Sequence, residues 1–165
     1  MNKIAYNIVP AQQSDGDIII DFNQKMALET EDRKLPDDVI GPGVRDILSD
    51  ANKGLYLLAK DEQGAIVGQL MVTYEWSDWR NGMFWWIQSV YVAPHARRQG
   101  IYRRLHEEVR NMARETGQAC GIRLYVEKEN LGAQKTYEDI GMKHSHYYMY
   151  EEDIARSYYI RITSV

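Results

Sequence analysis

Apolar residues recur along the chain with two different periods, and each change of period marks an element. Residues 6–10 read as a short strand. Over 18–30, Ile18, Phe22, Met26 and Ala27 share one helical face, with Ser14 and Asp17 placed to cap it. Leu35-Pro36 ends that helix. Val44, Ile47, Leu48 and Ala51 form the apolar side of a second helix, whose start is blurred by Gly41-Pro42-Gly43. Turn residues at 52–54 and 61–64 bound a strand over 55–59. The strand predicted over 65–76 alternates, with Leu70, Val72, Tyr74 and Trp76 on one face and Gln69, Met71, Thr73 and Glu75 on the other. A hairpin loop at 77–82 leads into a strand over 83–92.

From Ile101 the period lengthens again. Leu105, Val109, Met112 and Ala113 make a helical stripe that closes at 115–117. A strand follows over 121–126, then a short helix over 131–139, N-capped by Asn130 and ended before Gly141. A last strand is predicted over 144–150. The tail, 154–165, is apolar enough to be ordered but has no assignable element. The order β-α-α-β-β-β-α-β-α-β predicts an α/β (α+β) domain with a mixed sheet and helices on both faces. No repeat, low-complexity stretch or linker interrupts it, so residues 1–165 are expected to form a single domain.

Composition narrows the function classes. A net charge of −4 argues against a general nucleic-acid binder, whose footprint would be basic. No apolar run approaches membrane-spanning length, and residues 1–6 lack a signal-peptide core, so a cytoplasmic location is expected. Cys120 is the only cysteine, which leaves no intramolecular disulfide and no cysteine-based zinc site. Preceding an apolar strand, it reads as a small buried hydrophobe. The four histidines, 95, 106, 144 and 146, have no partner fixed by spacing, so no metal is expected.

On this acidic chain one stretch is locally basic. After Val90-Tyr91-Val92 and Pro94 come Arg97-Arg98-Gln99-Gly100-Ile101-Tyr102-Arg103-Arg104, at the start of the striped helix. Free amides at a helix N-terminus, together with the positive end of its dipole, favour phosphate oxygens. An ordinary strand-loop-helix with a solvated basic turn carries the same signals. The loop resembles the acetyl-CoA loop of the GNAT N-acetyltransferase superfamily, whose pattern is Gln or Arg, two variable residues, Gly, one variable residue, then Gly or Ala. Arg97 and Gly100 match; Tyr102 stands where the family has a small residue.

Asn130, Ala133, Tyr137 and Gly141-Met142 match every position of a second GNAT signature. The resemblance implies a mixed, mostly antiparallel central sheet with two splayed parallel strands, between which the pantetheine arm of acetyl-CoA lies. It implies that Val90, Tyr91, Val92, residues 97–103 from Arg97 to Arg103, Asn130 and Ala133 contact the cosubstrate, with a backbone N–H, Val90's, for the carbonyl oxygen. It also places Tyr137 near the sulfur. A phenol with an ordinary pKa near 10 stays protonated at pH 7 and can give its proton to a thiolate leaving group. Asn130 as a simple cap and Tyr137 as core remain the alternative.

Acetylating an amine also requires loss of the ammonium proton. Glu75, acting through water, is the candidate base, with Asp78 second and delivery of an already neutral amine a third route. Residues 73–79 and 86–92 resemble the diamine and polyamine acetyltransferase branch, but Gln88-Ser89 replaces that branch's Glu-Asp pair. Alternation sets Phe84, Trp86 and Gln88 opposite Trp85 and Ile87, so one set is core. The other can wall an acceptor pocket or bind a cation through its π faces, which makes Trp76, Trp86 and Gln88 candidate substrate-binding residues. Core packing and a dimer contact would use the same aromatics. The expected function is transfer of acetyl from acetyl-CoA to a small-molecule amine. A catalytically silent acyl-CoA sensor or interaction module is the competing class. Family habit and the apolar tail point to a homodimer.

Overall fold

Why α2 is continuous decides how the first layer packs. In the computed structural model, which describes residues 5–152 and 154, β1 (Asn7–Pro10) leads through a 3₁₀ turn into α1 (Gly16–Glu31). The cap is not the expected Ser14 and Asp17. The Gln12 N–H donates to the Asp15 carboxylate at 2.8 Å, which starts the helical path earlier. At its far end Asp32 turns left-handed, and the Asp32 and Arg33 amides close onto the Leu28 and Ala27 carbonyls. Helix α2 (Asp37–Ser49) runs straight through Gly41-Pro42-Gly43. An interior proline costs about 3 kcal/mol. Val44 and Ile47 are buried against Ile19, Tyr56 and Leu58, at about 1.5–3 kcal/mol per fully buried side chain, which outweighs that cost.

Strands β2 (Leu55–Lys60), β3 (Ile66–Ser77), β4 (Gly82–Val92) and β5 (Ala119–Arg123) complete a sheet in the order β1-β2-β3-β4-β5. The first three pairings are antiparallel and β4 with β5 is parallel, the chain crossing between them through α3 (Ile101–Glu115). One sheet face packs Leu57, Leu70, Val72, Trp85 and Ile87 against Ile101, Leu105 and Val109 of α3. The other face carries Tyr56 and Leu58 into the α1–α2 cluster. This is the mixed, mostly antiparallel α/β architecture expected from the sequence.

The chain divides into two compact units, Met1–Glu127 and Lys128–Val165. In the second, α4 (Leu131–Asp139) has the predicted bounds, and Asn130 Oδ1 accepts the Ala133 N–H at 3.1 Å. The strand predicted over 144–150 is absent. Ser145 Oγ instead accepts the Tyr147 N–H at 3.1 Å, a local bond that competes with a ladder, and Tyr148 and Tyr150 are exposed. Strand β5 also ends at Arg123 rather than 126. Residues 155–165 of the apolar tail lie outside the described residues.

His106 is a polar residue inside the α3 stripe. It is 3% exposed and its Nε2 has no hydrogen-bond partner among the described residues. Burial first, and the Arg110 charge second, lower its imidazole to about 4, with Glu107 opposing. An unfolded chain would take up this proton near pH 6.5, so between pH 6.5 and 4 the unfolded state binds more protons and stability falls with pH. Urea unfolding at pH 7 and pH 5 should show a loss of about 2 kcal/mol through this group. His106→Leu should remove that part of the dependence; an undiminished loss in the variant would refute the assignment.

Candidate active site

Strand β4 is broken in phase. Gln69 pairs with Tyr91 and Met71 with Gln88, so Ser89 and Val90 together face the single residue Leu70, a β-bulge. Ser89 takes a left-handed φ of 50°. Beneath it, Gln69, fully buried, donates to the Ser89 carbonyl and to Asn23 Oδ1, both at 3.4 Å, and Asn23 donates to the Tyr56 hydroxyl at 3.2 Å. After the bulge, Val90 and Val92 pack with Ile87 on the α3 side. Tyr91 turns to α1, its ring 4.9 Å from Phe22 and its hydroxyl donating to Glu29 at 3.2 Å. The ladder to β5 ends at Trp86 and Arg123, so the two parallel strands stay paired only over the first part of β4.

Beyond β4, a 3₁₀ turn (Pro94–Ala96) leads to the basic loop. Arg98 and Gly100 both adopt left-handed φ, 63° and 78°, and Gly100 caps α3. Helix α3 has no acidic residue in its first turn, and its first intrahelical bond runs from the Arg104 N–H to the Gly100 carbonyl. The amides of Ile101 and Arg103 therefore head a positive helix end, with Arg98 and Arg103 exposed beside it. This end fits a phosphate group.

Not every loop residue points there. Arg97 folds back, donating from Nε to the Val92 carbonyl at 2.9 Å and pairing with Glu29 at 2.6 Å. The Gln99 side chain accepts from the Tyr6 hydroxyl and donates to the His95 carbonyl. Ile101 is buried. Tyr102 is half-buried against the main core, its ring 6.0 Å from His106, so its bulk lies along the inner side of α3. That placement accommodates a tyrosine where the loop pattern has a small residue.

On the sheet face opposite α3, a polar and aromatic cluster surrounds Glu75. Its carboxylate accepts from the Trp86 indole N–H and pairs with Arg123 at 3.1 Å. The Arg123 guanidinium lies 3.5 Å over the Phe84 ring. Gln88 donates to Thr73 Oγ1 at 2.6 Å and accepts from the Tyr125 hydroxyl at 3.5 Å, while the Trp86 and Tyr125 rings lie 6.3 Å apart. Of the three candidate substrate-binding residues, Trp86 and Gln88 are therefore brought together with Glu75. Trp76 is exposed and falls on the alternate face of β3. Asp78 sits in the hairpin turn, accepting the Trp79 N–H.

Arg123 and Tyr125 were not singled out from the sequence. Their two-residue spacing was visible, but the parallel register that sets Arg123 opposite Trp86 was not. In the second unit Ala133 and Tyr137 are half-buried on α4, and burial pushes the Tyr137 phenol above its usual 10.0.

The sequence model of the Acetyltransferase (GNAT) family matches residues 18–142. A possible acetyltransferase from Clostridium difficile 630 is 44% identical over 91% of this chain and 98% of its own, with a TM-score of 0.84. The chain belongs to the GNAT family. Two further acetyltransferase structures share its fold. A predicted acetyltransferase from Clostridium acetobutylicum with acetyl-CoA is 17% identical over 90% of this chain and 96% of its own, at TM-score 0.73. The aminoglycoside N-acetyltransferase AAC(6')-Iy in complex with CoA is 14% identical over 92% and 97%, at TM-score 0.72. No curated protein matches the chain. The matched GNAT span takes in the bulge, the basic loop, the Glu75 cluster and the Asn130–Tyr137 segment.

One glycine sets how this GNAT sheet face packs. A Cβ at Gly121 would lie 2.7 Å from the Phe84 ring, so the ring seats under Arg123 only because residue 121 has no side chain. Gly121→Val should cost about 1–3 kcal/mol in urea unfolding. An unchanged midpoint would show that the Phe84 ring can give way freely.

Proposed function

We propose that the chain transfers the acetyl group of acetyl-CoA to a primary amine of a small molecule, directly in a ternary complex. The observation that carries this is the positive N-terminus of α3, entered through left-handed Arg98 and Gly100 at the end of a bulged β4. Family membership supports it, as do the CoA and acetyl-CoA in the two acetyltransferase structures. The first-turn amides of α3, with Arg98 and Arg103, bind the pyrophosphate. Backbone groups of Val90 to Val92 pair with the pantetheine arm, joined by Asn130 and Ala133. Arg97 and Gln99 shape the loop through the contacts they already make.

The amine lone pair attacks the thioester carbonyl, and the Val90 N–H stabilises the oxyanion. Collapse breaks the C–S bond as Tyr137 gives its proton to the departing thiolate, and the second nitrogen proton then returns to the Tyr137 phenolate, leaving the neutral amide. Burial suits Tyr137 to this, because it keeps the phenol protonated. The ammonium proton leaves through water to Glu75, whose two oxygens already accept from Trp86 and Arg123 and so hold its carboxylate in one orientation.

Acetyl-CoA at 100 times its Kd should stabilise the fold by about 2.7 kcal/mol, read as a thermal shift; no shift with either acetyl-CoA or CoA would overturn the cosubstrate reading. Tyr137→Phe should lower kcat by about 10²-fold or more while keeping that shift. A shift without acetyl transfer to any amine would mark a silent acyl-CoA sensor instead.

A further inference from the structure

The Glu75 cluster carries both signs of charge side by side. Its Glu75–Arg123 pair is partly exposed, with the side chains 44% and 33% accessible, so both groups can be reached by a ligand while they stay paired. Arg123 uses one of its five N–H donors within the described residues. Stacked on Phe84, its guanidinium is already held in place, so little rotamer freedom is lost when its free edge takes a ligand.

We propose that the acceptor carries a carboxylate close to its amine, as an amino acid does, and that Arg123 receives this carboxylate. The inference rests on the acetyltransferase reading and names the substrate class for it. Three features select this class. Glu75 and Arg123 lie 3.1 Å apart, which matches an ammonium and a carboxylate on the same or adjacent carbons. The two charges cancel, so a polycation gains nothing at Glu75 that it does not lose at Arg123, whereas an ammonium carboxylate satisfies both. The free edge of a planar guanidinium fits a carboxylate in a bidentate fork. Beside the pair, the Trp86 and Tyr125 rings offer a surface for an apolar side chain.

The test uses matched acceptors that differ only in the carboxylate: phenylalanine against phenethylamine and leucine against isopentylamine, with spermidine as the polycation. With acetyl-CoA, kcat/KM for the amino acid should exceed that for its decarboxylated partner by about tenfold or more. Arg123→Gln should bring this ratio towards one, and Arg123→Lys should restore part of it, a pattern that a loss of packing alone would not give. Equal or better transfer to the decarboxylated amines or to spermidine would overturn the inference and leave the acetyltransferase reading intact. So would a ratio unchanged in Arg123→Gln. Acetyl-CoA binding without transfer to any of these acceptors would also overturn the inference, and the acetyltransferase reading falls with it only if no other amine is acetylated.

Discussion

A uniform pleat would put Gln88, Val90 and Val92 of β4 on one face, and the fold needs them on two. Gln88 belongs beside Thr73 and Tyr125, whereas Val90 and Val92 pack with Ile87 against α3. Ser89 resolves the conflict by turning left-handed and adding one residue to the strand. That conformation costs about 1–2 kcal/mol for a non-glycine residue. Two half-buried valines return a similar amount, and the buried Gln69–Asn23–Tyr56 network adds hydrogen bonds that hold the Ser89 carbonyl. The polar face before the bulge and the direction in which β4 delivers the basic loop both follow from this one phase change.

The loop then divides its charges. Arg97 is spent inward, on the Val92 carbonyl, Glu29 and the face of Tyr91, and so ties the end of β4 to α1. Arg98 and Arg103 remain outward at a helix end that carries no acidic residue. An acidic chain thereby keeps one concentrated positive site without becoming basic overall.

Much of this was readable from pattern alone. The α3 stripe, the bounds of α4, its Asn130 cap and the two hairpins are local, and each depends on residues within a few positions of one another. What escaped the sequence depends on partners far along the chain. Pro42 sits inside α2 because Val44 and Ile47 have somewhere to pack. Residues 144–150 have the alternation of a strand, yet a single Ser145 hydroxyl gives the backbone a competing bond. Glu75 was legible as a carboxylate near aromatics. That its charge is matched by Arg123 required the register of a parallel pair joined by a whole helix.

All four tryptophans of the chain, at 76, 79, 85 and 86, lie on the β3–β4 hairpin. They span environments from the core, where Trp85 is 5% exposed, to open solvent, where Trp79 is 91% exposed. Tryptophan emission from this protein is therefore a local signal from one hairpin. Trp86, hydrogen-bonded to Glu75 and near the Arg123 guanidinium, makes that emission sensitive to whatever enters the cluster. The α1–α2 layer, which holds no tryptophan, is silent to the same light.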